Sequence, residues 1–228
     1  MTFFRLVRNR FKSREDYINF QRFQCRMLFQ HLKKNGVDIE GKLMLDVGCG
    51  NGGYSVEFIG GEAKVISLDL KKPDLTGHNL NFVQGDALNL PVSNDSFDFV
   101  FCSSLIEHLS DQSKLISEVY RVLKKDAYCY LSFPPFYSPV GGHNLKPYHL
   151  LPEKISIPLL KKTKKLGCDS LNDYGLYKLT IRGVSKKVRK AGFEIKRIST
   201  RFSPINFAGV PLFGDLLTWH VEFILLKG

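Results

Sequence analysis

Leu45-Asp46-Val47-Gly48-Cys49-Gly50-Asn51-Gly52-Gly53 is the stretch on which the reading of this chain turns. An apolar run over 42–46 gives way to a turn that is two-thirds glycine, and a helix is expected to follow. Glycine is used where backbone must approach a ligand closely or take up a left-handed conformation. An acid, Asp69, closes the next apolar run, 19 residues beyond Gly50. A carboxylate at that place can accept hydrogen bonds from ribose hydroxyls. Gly48, Gly50 and Gly53 also satisfy the G-x-G-x-x-G spacing of dinucleotide sites, so the glycines alone leave a nicotinamide cofactor open.

Working outward, the runs 65–70, 80–84, 97–102 and 128–133 are mostly continuous apolar segments, as parallel strands covered on both faces require. The runs 193–198 and 219–226 add two strands close together in sequence. Ser13 and Asp16 form a loose capping box ahead of Tyr17, Phe20, Gln24, Met27, Leu28, His31 and Leu32, which recur at helical spacing and predict a helix over 14–35. Ser110 is placed to cap a helix that buries Leu115, Ile116, Val119, Tyr120 and Leu123, with Lys124 and Lys125 at its C-terminal end. Thr180 is placed to cap another, carrying Ile181, Val184 and Val188 to Gly192. The predicted fold is α/β, a doubly wound sheet of seven strands.

One domain is expected over 1–228, with an N-terminal helical extension over 1–40. Residues 134–178 break the alternation with Pro134, Pro135, Pro139, Pro147, Pro152 and Pro158, and read as a lid-like insertion of ordered loop and short helical pieces. A second insertion, 202–217, is apolar: Phe202, Ile205, Phe207, Val210, Leu212, Phe213, Leu216 and Leu217 fall within it.

The formal charge of +11 is unevenly spread. Residues 1–35 carry nine Lys/Arg against two acids and 178–201 carry nine against one, whereas 36–100 carry four against ten. The flanks are basic and the glycine-loop region acidic, so a positive surface is available to an anionic substrate, an anionic membrane or RNA, unless it is only a solvated helix face. Five cysteines, Cys25, Cys49, Cys102, Cys129 and Cys168, make no C-x-x-C pair, so neither a disulfide framework nor a zinc ribbon is indicated, and no metal ligand is assigned. No signal-peptide h-region and no long apolar span are seen, which leads to the expectation of a cytoplasmic protein.

The residues Leu45–Gly53, Val65–Leu70, Gly85-Asp86-Ala87, Phe97-Asp98-Phe99-Val100, Ile106-Glu107-His108-Leu109 and Val122-Leu123-Lys124 together resemble the class I S-adenosylmethionine-dependent methyltransferases. Within them the chain is similar to the small-molecule group that includes the ubiquinone and menaquinone biosynthesis enzymes. The resemblance is good over 42–133 and weak elsewhere. It implies a Rossmann-like mixed sheet, mostly parallel with an antiparallel last strand, and S-adenosylmethionine as cofactor. Asp46 would orient the glycine loop and approach the donor's charged amino-acid moiety, Gly48 and Gly50 would give the loop its room, Asp69 would bind both ribose hydroxyls, and Cys49 and Leu70 would also be among the cofactor-binding positions. Asp86, Ala87 and Leu88 would form the adenine pocket, and Ser103 and Ser104 would line the methionine portion. Cys49 itself reads as a packing residue rather than a nucleophile.

Methyl transfer asks little covalent help, because a sulfonium is already a good leaving group. A hydroxyl acceptor would gain from a general base, for which His143, Tyr137 and His108 are the candidates, with His149 nearby in sequence. For His143 the alternative is an anchor for its loop. The Asn/Asp-Pro-Pro-Tyr/Phe quartet of nucleic-acid amino-methyltransferases is not at its place, which reads Cys102-Ser103-Ser104-Leu105. The expectation is therefore transfer of a methyl group to a small molecule related to lipid, quinone or glycan. An RNA or protein methyltransferase and a non-catalytic cofactor-binding scaffold are the alternatives. The apolar 202–217 segment between basic stretches leaves open peripheral contact with an anionic membrane at its inner face, and a nucleic-acid partner is the weaker expectation.

Overall fold

The computed structural model describes residues 12–73, 80–201, 203, 205–210 and 213–228. The first eleven residues of the expected N-terminal extension, and Phe202 and Leu212 of the apolar insertion, lie outside them.

The chain alternates as its periodicity predicts: α1 (Arg14–Lys34), β1 (Leu43–Val47), α2 (Gly53–Gly60), β2 (Lys64–Asp69), β3 (Asn81–Gln84), β4 (Phe97–Ser103), α3 (Gln112–Val122), β5 (Leu123–Phe133), α4 (Glu153–Lys164), α5 (Ile181–Lys190), β6 (Phe193–Thr200), α6 (Gly214–Leu217) and β7 (Val221–Lys227). The strands form one seven-stranded sheet in the order β3-β2-β1-β4-β5-β7-β6. Pairing of β1 with β2, β1 with β4, and β2 with β3 is parallel, whereas β6 and β7 are antiparallel. This is the expected Rossmann-like mixed sheet with its antiparallel last strand. The strand order reverses at β1, between β2 and β4, and in open α/β sheets such a switch point opens a crevice at the carboxyl ends of the strands.

By contact density the chain divides into two compact units, Met1–Cys102 with Arg121–Tyr128, and Ser103–Tyr120 with Cys129–Gly228. In the first, Ser13 caps α1 by accepting from the Asp16 amide at 3.0 Å, and Arg22 and Arg26 of α1 both pair with Glu57 of α2 at 2.9 and 2.8 Å. Tyr54 and Phe58 of α2 bury against Phe101, with ring centroids 4.9 and 5.0 Å away. These contacts fix the start of α2, and with it the glycine turn.

The second unit corrects several local expectations. Asp111, not Ser110, caps α3: its Oδ1 accepts from the Lys114 amide at 2.9 Å and its carbonyl from the Leu115 amide at 3.2 Å. The helix passes directly into β5 at Leu123, five residues before the expected strand, because apolar Leu123 is fully buried. Lys124 is therefore on a strand, where, within the first unit, it pairs with Asp98 at 2.8 Å rather than serving a helix end. Trp219, expected within the last strand, lies before it and is 63% exposed.

Residues 134–178 hold more helix than their prolines predict. Short 3₁₀ turns at His143–Leu145 and Tyr148–Leu150 precede α4, twelve residues long with Pro158 inside it. A proline there removes a helical hydrogen bond and crowds the preceding turn. The helix persists because Ile157 and Leu160, on either side, bury with Phe136, Leu145, Leu171 and Leu176 in a cluster of the insertion's own. Thr180 caps α5 as expected, accepting from the Gly183 amide at 3.0 Å. Thr180→Ala is expected to cost about 1 kcal/mol in a chemical denaturation series, and Thr180→Ser to restore most of it.

Candidate functional site

In the first unit, β1 ends at Val47 and the backbone then visits left-handed conformations at Gly48 (φ 75°), Gly50 (φ 55°) and Gly52 (φ 74°). Residues with a Cβ rarely adopt these angles, which is why the turn is glycine-rich. The amides of Gly48 and Cys49 donate to the Leu68 carbonyl at 2.8 and 3.0 Å, tying the loop to β2. The Gly50 amide donates to Asp69 Oδ2 at 2.8 Å, and the Lys71 amide to Asp69 Oδ1 at 3.3 Å. Asp69 thus clamps the loop through one oxygen, and each carboxylate oxygen keeps capacity for another donor.

Behind the loop, Asp46 is 2% exposed and accepts from Ser55 Oγ at 2.5 Å, while Ser67 Oγ donates to Ser55 Oγ at 2.8 Å. Burial pushes the Asp46 carboxyl up to about 7; the Ser55 hydrogen bond works against this and the Asp69 charge adds to it. Gly53 opens α2 so close to α1 that an added Cβ would lie 2.6 Å from Gln21 Oε1 and 3.0 Å from the Ile18 carbonyl oxygen. Cys49 is buried, and burial followed by the charges of Asp46 and Asp69 pushes its thiol up, which fits packing and not nucleophilic chemistry. Leu70 lies just past β2 and is 63% exposed. Asp86 is exposed and closes a turn by accepting from the Leu88 amide at 2.9 Å; Ala87 is buried and Leu88 half-buried.

The second unit gathers a different set. Ser103 accepts hydrogen bonds from Ser132 Oγ at 2.9 Å and from Arg201 Nη1 at 3.1 Å. Buried Glu222 accepts from Tyr130 Oη at 2.9 Å and from Ser199 Oγ at 2.8 Å. His108 and His143, 35 residues apart in sequence, meet edge to face with ring centroids 4.9 Å apart. His143 Nε2 stands 3.9 Å from Glu107 Oε1. Burial, then His108, Lys146 and His149, holds the His143 imidazole down at about 4, while burial raises the Glu107 carboxyl to about 8. A base whose conjugate acid is that weak suits proton abstraction at neutral pH poorly, and its neutral imidazole is better suited to donating a lone pair.

Tyr137 is exposed, and among the described residues its ring partner is Phe136, at 5.2 Å. His149 packs into the loop: it is 2% exposed, with Nε2 3.3 Å from the Ser138 carbonyl and its ring filling the space beside Gly142. Arg201, Glu222 and His220 had no sequence signal. Arg201 reaches Ser103 from 98 positions away, and His220, with a buried Nε2, is pushed well below the ordinary imidazole range by burial, Arg201 and His143.

Residues 45–131 match the family model described as a methyltransferase domain. The chain is 32% identical over 134 residues to a demethylmenaquinone methyltransferase of Oceanobacillus iheyensis, covering 53% of this chain and 56% of that protein. It is 28% identical over 151 residues to an uncharacterized methyltransferase of Mycobacterium leprae, covering 63% of this chain and 55% of that one. The chain thus spans about half the length of the curated relatives it matches. Among solved structures it superposes on an S-adenosylmethionine-dependent methyltransferase from Mesorhizobium loti with a TM-score of 0.59 at 18% identity, over 87% of this chain and 97% of that one. A second, from Archaeoglobus fulgidus, gives a TM-score of 0.58 at 18% identity over 99% and 100%. These likenesses establish the fold.

Proposed function

We propose that this chain, whose fold is that of the class I S-adenosylmethionine-dependent methyltransferases, transfers the methyl group of S-adenosylmethionine to a small-molecule acceptor. The observation that carries the reading is the left-handed glycine turn at the sheet's switch point, held to Asp69 by the Gly50 amide at 2.8 Å. In this reading the open turn receives the donor's amino-acid end, with Asp46 behind it. Asp69 offers its remaining acceptor capacity to the ribose hydroxyls, exposed Leu70 covers one face of the adenine, and Asp86 takes the adenine amino group. The enzyme's task is to align the acceptor with the methyl carbon and keep water away, since the sulfonium leaves readily. A small-molecule acceptor is supported by the similarity to a demethylmenaquinone methyltransferase.

The test is transfer of isotopically labelled methyl groups from S-adenosylmethionine into separated lipid, polar-metabolite, RNA and protein fractions of a cell extract. Label in the lipid or polar-metabolite fraction is expected, and label confined to RNA or protein overturns the reading. For the donor site, Asp69→Ala is expected to weaken S-adenosylmethionine binding about 30-fold by calorimetry, roughly the loss of one charge-assisted hydrogen bond. Asp69→Asn, which keeps an oxygen for the Gly50 amide, separates the clamp from the ribose contact. Unchanged affinity in a folded Asp69→Ala protein removes the ribose assignment.

A specific observation favours a membrane surface as the place where an apolar acceptor is met. Ile205, Val210, Phe213, Leu216, Leu217 and Trp219 are all at least one-third exposed within fifteen residues of sequence. Among the described residues no helix is long and apolar enough to cross a membrane, so contact would be peripheral. Trp219 is the chain's single tryptophan, and its emission is expected to shift to shorter wavelength with phosphatidylglycerol vesicles. An unshifted spectrum, together with no co-flotation, counts against this placement.

A further inference from the structure

Glu107 presents a physical problem that the donor site does not solve. It is 1% exposed, and among the described residues neither carboxylate oxygen has a hydrogen-bond partner. An unsatisfied buried carboxyl is costly and calls for a compensating group. Two imidazoles supply the setting: one ligand atom from each of Glu107, His108 and His143 lies within 4.8 Å of the others. Ligands 2.0–2.2 Å from a shared ion stand roughly 3.0–3.5 Å apart, so shifts of about an ångström or less per residue would seat one.

The surroundings are arranged as ligand positioning requires. His108 Nδ1 lies 2.8 Å from the Gly175 carbonyl oxygen, an acceptor, so Nδ1 carries the proton and Nε2 keeps its lone pair. A backbone carbonyl behind the distal nitrogen is the usual way to fix the tautomer of a metal-bound histidine. The Gly175 turn is itself closed by its amide on Asn172, and the next segment ties back to the site where the Tyr177 amide donates to the Glu107 carbonyl at 2.9 Å. His143 sits in the left-handed region at φ 49°.

We propose that Glu107, His108 and His143 form a two-histidine, one-carboxylate site for a divalent transition-metal ion. Imidazole with carboxylate suits zinc, manganese, iron(II), cobalt or nickel better than magnesium or calcium, which prefer all-oxygen sets. Three protein ligands leave positions open, and one carboxylate against a divalent ion leaves net positive charge, so the ion's further ligand would be an oxygen anion or an ionisable hydroxyl. The assignment does not depend on the methyl-transfer reading, since it concerns binding of the ion alone.

The test uses the full chain, stripped with chelator, dialysed metal-free and titrated with Co²⁺ while visible absorption and the thermal midpoint are followed. One saturable equivalent with a ligand-field band and a raised midpoint is expected. His108→Ala, on an exposed ring, and His143→Asn, chosen because asparagine tolerates the left-handed backbone, should each weaken binding at least about a hundredfold. Glu107→Gln should do the same, and His31→Ala should leave the titration unchanged. Absence of a saturable equivalent in the folded parent protein overturns the proposal. So does binding that survives both histidine substitutions, or that is lost only in His220→Ala.

Discussion

The stability of the chain relative to that of its Asp46→Asn variant is expected to fall as pH rises from about 4 to about 7. The Asp46 carboxyl has a model-peptide value of 3.8 and sits at about 7 in the folded chain. Below 3.8 it is protonated in both states and contributes no pH dependence. Between the two values the folded state binds the extra proton, so each step up in pH favours unfolding. Above about 7 the group is ionised in both states, and the folded one bears the full penalty of an anion with 2% exposure. The total change is on the order of 4 kcal/mol. Chemical denaturation at pH 4.5, 6 and 7.5 measures it. Asparagine keeps an oxygen for the Ser55 hydroxyl and carries no charge, so the variant should lose the part of the slope that belongs to Asp46 while remaining folded, the opposed parts from raised Glu107 and from lowered His143 and His220 being common to both proteins. A fall that persists above pH 7 belongs to Glu107, whose carboxyl sits at about 8. Identical slopes in the two proteins below pH 7 would show that Asp46 is ionised throughout. Bound S-adenosylmethionine, with its cationic groups, is expected to favour the ionised carboxylate and so to stabilise the chain more above pH 7 than below it.

The second large effect is expected at Gly141. A Cβ there would lie 2.0 Å from the Pro135 carbonyl oxygen and 2.5 Å from that of Phe136, both backbone atoms that cannot rotate away. Ser138 Oγ and the Ser138 carbonyl both accept from the Gly141 amide, at 3.0 and 3.1 Å, so the loop cannot open without losing these bonds. Gly141→Val is expected to destabilise the chain by about 3 kcal/mol or more. Hydrogen exchange over 134–150 should accelerate, and His143, whose amide donates to Val140, should lose its place beside Glu107. Gly209→Ala, where the added Cβ meets open space, is the matched control. Parent-like stability and exchange in Gly141→Val would mean that the loop has another packing available to it.

The glycine turn and its acid were legible because their meaning is local. Left-handed angles at Gly48, Gly50 and Gly52 exclude side chains, and that exclusion is written in residue types. Strand identity was legible for a similar reason: β1, β2 and β4 are buried on both faces and read as continuous apolar runs. Local reading failed where packing overruled it. Pro158 lies in a helix because Ile157 and Leu160 bury on either side of it. Asp111 replaced Ser110 as the cap of α3, a shift of one residue between two competent capping side chains. Of the histidines in the 134–178 insertion, the one that reads as a candidate base, His143, stands by Glu107, and its neighbour His149 packs into the loop; no spacing distinguishes them.

The sequence by itself determined the class of fold, the places of the apolar strands and the glycine-rich turn, since each is written in residues within a turn or two of one another. Tertiary structure decided the rest. Only the pairing of β1 with β2 brings Asp69 under the Gly50 amide, 19 residues along the chain. Only folding of the second unit sets Arg201 on Ser103, Gly175 behind His108, and His143 beside the buried Glu107 carboxyl. Those groups meet across 36 to 98 residues, and their chemistry comes from burial and proximity that no local pattern encodes.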